Sequence, residues 1–569
     1  MKQFQKFGVA AAVATVAAGT VAQDVSRSES GDLAIVPYYT VLDGVNTGMH
    51  IINTTDSTQV VKVRLRRGTD SKDALDFNLV MSPRDEWTAN IGAGGANGVL
   101  VTTNDTTCTV PEFPAGGAEM PATFATGATE GYVEIIAMAQ ASSELQPIAV
   151  GAKHAAGTPA DCASVRQNFY RVAATSVGDA AVRGTHTANL TSTGTCKTAA
   201  TSAGACSAGA AANLSNYVDS ADNALKVSFM LTDATGGLEA GDNAVMIEGF
   251  ASAAMMTNQQ PLSFGTDGLL NYDPLNFELP NLAYGSYAST NAARAAAADA
   301  SSIDGSMWAG VSNAIDADAI ANDWAAFSTA DGTVHADWVV TLPGQYVMNN
   351  PICDIYSNYG EANATAAAAC ANATAIAAYS AVGGADRNQL PLLIASNVDG
   401  GSLVVGSNMN LWDREELSLA GKESTKSPED ADLGFSPGGT SSDPADPDVK
   451  VVLPYEVNVI AFGEADESTA VMSNLKLSVT PPATSDRGWA RLDIQSTNAA
   501  PQRWNLTGTD DDNVQPGATL DPGSWTATDA SDVGVVGFAL WQRSFAAQAG
   551  NYGRMIEHST IASSGGTIR

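Results

Sequence analysis

Alternation of apolar and charged side chains on both sides of a polar break is the feature that most restricts how this chain folds. Val61, Val63 and Leu65 alternate with Lys62, Arg64 and Arg66; beyond the break Gly68 to Asp73, Leu75, Phe77, Leu79 and Met81 alternate with Asp76 and Asn78. Two adjoining period-2 runs specify a half-buried antiparallel hairpin. The register that keeps both apolar sets on one face is expected to set Leu65 opposite Phe77 and Val63 opposite Leu79, with Arg66 opposite Asp76 and Arg64 opposite Asn78. Each such cross-strand pair is worth about 0.2–1 kcal/mol.

On the other face Lys62, Arg64 and Arg66 form a positive stripe. The chain carries 28 Lys and Arg against 61 Asp and Glu, a formal charge of -33. The stripe therefore reads first as sheet framework and second as a self-association face for an acidic neighbour. The same charge repels nucleic acid and anionic membrane surfaces, so no nucleic-acid partner is expected.

At 569 residues the chain exceeds one ordinary core. Thr129 to Gln140, Ala224 to Thr232, Asn243 to Ala254, Trp338 to Tyr346, Leu390 to Val398, Ser402 to Trp412, Val451 to Phe462, Ala470 to Val479, Trp489 to Gln495 and Val533 to Phe545 read as strands. Ala149 to Ala156 and Ala163 to Ala174 are further candidates. Ile315, Ala319, Ile320, Trp324 and Phe327 instead follow helical spacing. The expected fold is mainly β: antiparallel, Ig-like β-sandwich domains with Ala-rich helical and loop insertions. The divisions are a signal peptide over 1–22, an N-terminal sandwich over 23–287 with a disulfide-pinned insertion, a helical connector over 288–328, and a C-terminal sandwich over 329–569 with a mobile loop at 424–449.

The leader has Lys2 and Lys6 before an apolar run from Phe7 to Ala18 and small residues before Gln23. No later stretch reaches the roughly 18 apolar residues of a spanning helix, so a secreted protein without a transmembrane segment is expected. Six cysteines and no C-x-x-C suit disulfides in an exported chain. Cys196 with Cys206 and Cys353 with Cys370 each bracket a short Ala-, Gly-, Ser- and Thr-rich excursion, which leaves Cys108 with Cys162.

Catalytic patterns are weak. Gly434-Phe435-Ser436-Pro437-Gly438 matches a nucleophile elbow formally, but Pro437 has no N–H to offer an oxyanion. Gly92 to Gly98 is glycine-rich, yet strands flank it on both sides, unlike a dinucleotide loop. His50, His154, His186, His335 and His558 are too far apart for a zinc motif. Asp413, Glu415, Glu416 and Glu456 could supply paired carboxylates for glycoside hydrolysis, although Arg414 between the first three suggests local charge pairing. Asp510, Asp512 and Asp521 share the spacing of calcium-loop positions 1, 3 and 12, but Gln515 stands where a helical loop needs Gly. An irregular structural calcium site is the reading that remains, and no other cofactor is expected.

Val36-Pro37-Tyr38-Tyr39-Thr40, Ala74 to Ala89, Leu411 to Glu416, Leu453 to Phe462 and Val536 to His558 resemble uncharacterised exported surface proteins of Gram-negative bacteria. The resemblance implies an envelope or extracellular location and brings no assigned activity. The expected function is a non-enzymatic structural protein, an S-layer-like or filament-forming subunit that associates with itself at the cell surface. The alternatives are a carbohydrate-active enzyme or glycan-binding module, with Trp412, Trp489, Trp504, Trp525 or Trp541 as a sugar platform for cell-surface polysaccharide, and an adhesin.

Overall fold

The computed structural model describes residues 24–167, 217–255, 280–282, 310–343, 405–419, 449–496, 502–503, 526–527 and 534–561, less short breaks within them. The described chain is mainly β, in several sheets that are almost wholly antiparallel. In the first half, strands Leu33–Thr40, Glu130–Ala141, Gln59–Arg67 and Asp73–Met81 are successive neighbours in one sheet. Leu225–Asp233, Val45–Asn53, Glu86–Ala93 and Val99–Thr102 are successive neighbours in a second. The ring centroids of Phe77 from the first sheet and Trp87 from the second lie 5.6 Å apart. The alternating apolar face of the hairpin therefore meets the second sheet.

The hairpin forms, over Gln59–Arg67 and Asp73–Met81, in a different register. Val63 stands opposite Phe77, Arg64 opposite Asp76 and Leu65 opposite Leu75, with an irregularity between Leu65 and Arg66. This slip of two residues leaves each side chain on its expected face, because strand side chains repeat every two residues. All nine residues of Gln59–Arg67 are buried, so the second face is covered as well and the strand is not half-exposed.

In the second half, Val405–Asp413, Arg487–Ser496, Ala319–Thr329, Gly332–Thr341 and Val457–Phe462 follow one another in an eleven-stranded sheet. Val536–Phe545 lies along Gly332–Thr341, and Gln548–Glu557 folds back on it. Ala319–Thr329 is thus a strand of this sheet and not part of a helical connector. Its outer edges pair with two different partners, Arg487–Ser496 and Gly332–Thr341, and that pairing outweighs its helical spacing. Residues 288–309 of the expected connector lie outside the described residues.

Two other candidate strands begin in short helices, Pro147–Ala152 and Cys162–Gln167; His154–Ala155 of the first is a strand, and 168–174 of the second lie outside the described residues. Pro147 sits at the first helical turn, where its fixed φ suits the helix and its missing N–H costs nothing. Cys108 and Cys162 are bridged, tying the second helix to strand Cys108–Val110. Cys196, Cys206, Cys353, Cys370 and the loop 424–448 lie outside the described residues.

The halves share one hydrophobic core. Val339, Val457, Val459, Leu475, Val536, Phe538 and Leu540 belong to the cluster that fills the first half, and the Phe229 and Phe538 rings lie 5.7 Å apart. Glu130 fastens this seam. It is buried and accepts hydrogen bonds from the Tyr38 hydroxyl (2.9 Å), the Ser473 hydroxyl (2.6 Å) and the Asn474 N–H (2.8 Å). Burial holds its pKa above the ordinary carboxylate range although these bonds pull the other way. A separate cluster, including Ile320, Trp324, Trp338, Leu411, Ile460 and Leu492, fills the second half. Among the described residues no helix is long and apolar enough to cross a membrane.

Candidate functional site

Lys62, Arg64 and Arg66 do not form a surface stripe: all three are buried. Arg64 makes a two-pronged contact with Asp76, Nε to Oδ1 at 3.0 Å and Nη2 to Oδ2 at 3.0 Å. Lys62 Nζ reaches Asp76 Oδ2 at 3.4 Å, and Arg66 Nε donates to Glu134 Oε1 at 3.1 Å. The Tyr132 hydroxyl adds a bond to Ser71 Oγ at 2.8 Å. This internal ion-pair network satisfies the charged set of the alternation inside the protein, which removes it as a docking face. Removing one partner of such a pair costs about 3–5 kcal/mol, because the other charge is left buried.

His558 and His154 are also structural in geometry. His558 is buried, and its Nε2 donates to the Val339 carbonyl (2.9 Å) while Nδ1 faces Asn322 Nδ2 (3.0 Å). This pattern requires the neutral ring, with Nδ1 as acceptor, and burial lowers the His558 pKa to about 4. His154 lies between Asp85 (Nδ1 to Oδ2, 3.6 Å) and Thr106 (Nε2 to Oγ1, 3.2 Å). That order resembles a carboxylate–imidazole–hydroxyl relay. Thr106, however, directs its hydroxyl proton to the Gly157 carbonyl at 3.0 Å, so the array serves to hold the 103–107 segment to the 154–159 hairpin. Among the described residues no group of three His, Cys, Asp or Glu side chains could hold a metal. Asp510, Asp512, Asp521, Glu415, Glu416 and His186 lie outside them. Glu456 is fully buried and Asp413 ends its strand opposite Gly488.

Two aromatic surfaces stand out on the second half. Trp412 and Trp489 are cross-strand partners whose rings stack at 4.0 Å between centroids and 10° between planes. Trp489 remains 40% exposed beside the exposed carboxylate of Asp323, its neighbour on the next strand. Trp504 and Trp525 lie outside the described residues.

The second surface is built by register. Arg543 stands opposite Tyr552 and Val334, and Trp541 opposite Arg554 and Ala336; Phe545 continues the same face two residues on. Val334 and Ala336 are buried with Ala325, and Phe327 and Trp541 pack against them. Over this floor the guanidinium of Arg554 lies 5.8 Å from the Trp541 ring centroid and that of Arg543 lies 4.7 Å from Phe545. Tyr552 meets the Phe545 ring edge-on at 5.7 Å and is 71% exposed. Nearby Arg487 covers Phe327 at 4.9 Å and pairs with Asp486 at 3.3 Å. Arg543 and Arg554 are exposed and make no ion pair among the described residues.

Sequence reasoning missed this face because strand Gln548–Glu557 is too polar and Gly-rich to announce itself. The signal present was Trp541, Arg543 and Phe545 at alternate positions, which puts an arginine between two aromatics on one face of a strand. Comparison with protein-family models, curated proteins and solved structures finds no match for the chain. The geometry of its surfaces is therefore what supports a functional reading.

Proposed function

We propose that the chain is a non-enzymatic extracellular structural protein, an S-layer-like or filament-forming subunit that self-assembles at the cell surface, with each half an Ig-like β-sandwich. The observation that carries this reading is the arginine–aromatic face. Trp, Tyr and Arg are the residues that dominate protein–protein binding energy, and here they stand together on a chain of formal charge -33. Structural calcium in the acidic loops, Asp510, Asp512 and Asp521 included, belongs to the same reading. Negative-stain microscopy of the purified chain with and without calcium should show sheets, filaments or discrete oligomers. A monodisperse monomer under every condition would sink the proposal.

A glycan-binding role is the second reading, favoured by Trp489. Its exposed indole beside Asp323 offers an apolar face for a pyranose ring and an acceptor for its hydroxyls. Screening on a glycan array, with W489A alongside, tests it; equal signals from the two proteins would rule out this site.

A further inference from the structure

We infer that the arginine–aromatic face docks, head to tail, on an acidic surface of a second copy of this chain, so that association propagates as an open or ring-shaped polymer and does not stop at a two-fold dimer. The inference rests on the self-assembly reading and names the contact and the symmetry that it requires.

The ring faces decide against a sugar at this surface. Arg554 lies over Trp541 at 5.8 Å and Arg543 over Phe545 at 4.7 Å from the ring centroids, so a cation stands above each ring on which a pyranose would stack. Each guanidinium is within cation–π range of its ring, and its N–H edge matches a carboxylate in a two-pronged contact. The attraction to the ring also limits the freedom of the fork, which lowers the entropy lost when a partner binds. The ligand chemistry of the face is therefore a carboxylate beside an apolar group that can reach Tyr552.

Charge then decides the symmetry. A two-fold interface is self-complementary, so it would require carboxylates within the same patch to meet Arg543 and Arg554 of the other copy. Asp486 is engaged by Arg487, and Asp331 stands at the rim, in the turn before Gly332. Exposed carboxylates stand on other elements, Asp43 and Glu239 among them, and the complementary patch is placed there, away from the arginine–aromatic face. Contacts between two different patches generate rings or filaments.

Sedimentation velocity of the full chain at about 50 mM and about 1 M salt tests this, since screening weakens exposed charge pairs. At low salt the wild type should form a concentration-dependent series of species larger than dimers, and high salt should shrink them. R543E/R554E should associate at least about thirtyfold more weakly, the scale of a binding hot spot, with its near-ultraviolet circular dichroism unchanged. R543Q/R554Q should fall in the same direction, which keeps the test valid should the double reversal disturb the fold. Traces of R543E/R554E added to wild type should shorten the polymers, because the variant can still be docked upon but cannot dock. Wild-type polymers that persist in both variants would overturn the inference and leave self-assembly standing. Assembly that ends at a dimer would overturn the symmetry. Arg-dependent binding of alginate oligomers without self-association would overturn the partner. A wild type that is monomeric throughout would overturn the self-assembly reading itself.

Discussion

At the scale of single residues, two buried groups give the protein opposing pH responses. Asp337 accepts a hydrogen bond from the Val471 N–H at 2.7 Å, while its other oxygen has no hydrogen-bond partner among the described residues. Burial raises its pKa to about 7 despite that bond and the nearby Lys476 charge. Its ordinary value is 3.8, so the folded protein keeps a proton that the unfolded chain releases as pH rises from 3.8 to 7. Stability due to this group is thus complete at low pH and is lost over that interval, by up to about 4 kcal/mol. His558 slopes the other way. Its folded pKa of about 4 lies below the ordinary 6.5, so its contribution is complete above 6.5 and is lost as pH falls toward 4. D337N removes the first response and keeps a carbonyl for Val471. Urea unfolding should find D337N more stable than wild type at pH 8 and close to it at pH 4; a difference independent of pH would refute the buried, protonated carboxyl.

At the scale of elements, the bridge between Cys108 and Cys162 closes a loop with a sequence separation of 54. It joins the helix Cys162–Gln167 to the edge strand Cys108–Val110. Loop-closure entropy assigns such a bridge about 4 kcal/mol, and measured values for native bridges run about 2–5. C108S/C162S should lose stability in that range in chemical denaturation, and an unchanged midpoint would show the bridge to be idle.

Legibility in the sequence divides at the same scale. The existence and apolar face of the hairpin were legible because period-2 alternation encodes them directly. Its register was not, since a slip of two residues leaves faces unchanged and the turn alone distinguishes the alternatives. Alternation also promised a solvated charged face. It cannot distinguish charges facing water from charges paired within the protein, as Arg64 and Asp76 are. Ala319–Thr329 misled for a different reason: its Ala, Ile, Trp and Phe positions suit a helix face, but its edges meet strands from distant segments. Arg543 and Arg554 become one surface only because a strand without a clear pattern folds back on Val536–Phe545.

At the scale of the whole molecule, one cooperative unit follows from the shared core. Apolar side chains of the second half complete the cluster that fills the first, so separating the halves would expose surface on both. The Val457 N–H also donates to the Gly68 carbonyl at 2.8 Å, and the Thr341 hydroxyl to the Pro37 carbonyl at 2.6 Å. Calorimetry of the wild type should accordingly show a single transition spanning both halves. E130A deprives the Tyr38 hydroxyl, the Ser473 hydroxyl and the Asn474 N–H of their common acceptor. Each buried donor left unsatisfied costs about 1–3 kcal/mol, reduced at Asn474, which is exposed enough to find water, and at Tyr38, whose hydroxyl also meets Thr40 and Ser473. The expected loss is about 2–4 kcal/mol for E130A, with a smaller loss for E130Q, whose carbonyl still accepts from Asn474 while the two hydroxyls can turn to accept from its amide. Because the apolar contacts across the seam remain in both variants, the transition should move to lower temperature without dividing. Two resolved transitions in the wild type would show that the halves fold independently and that Glu130 joins bodies that do not need each other.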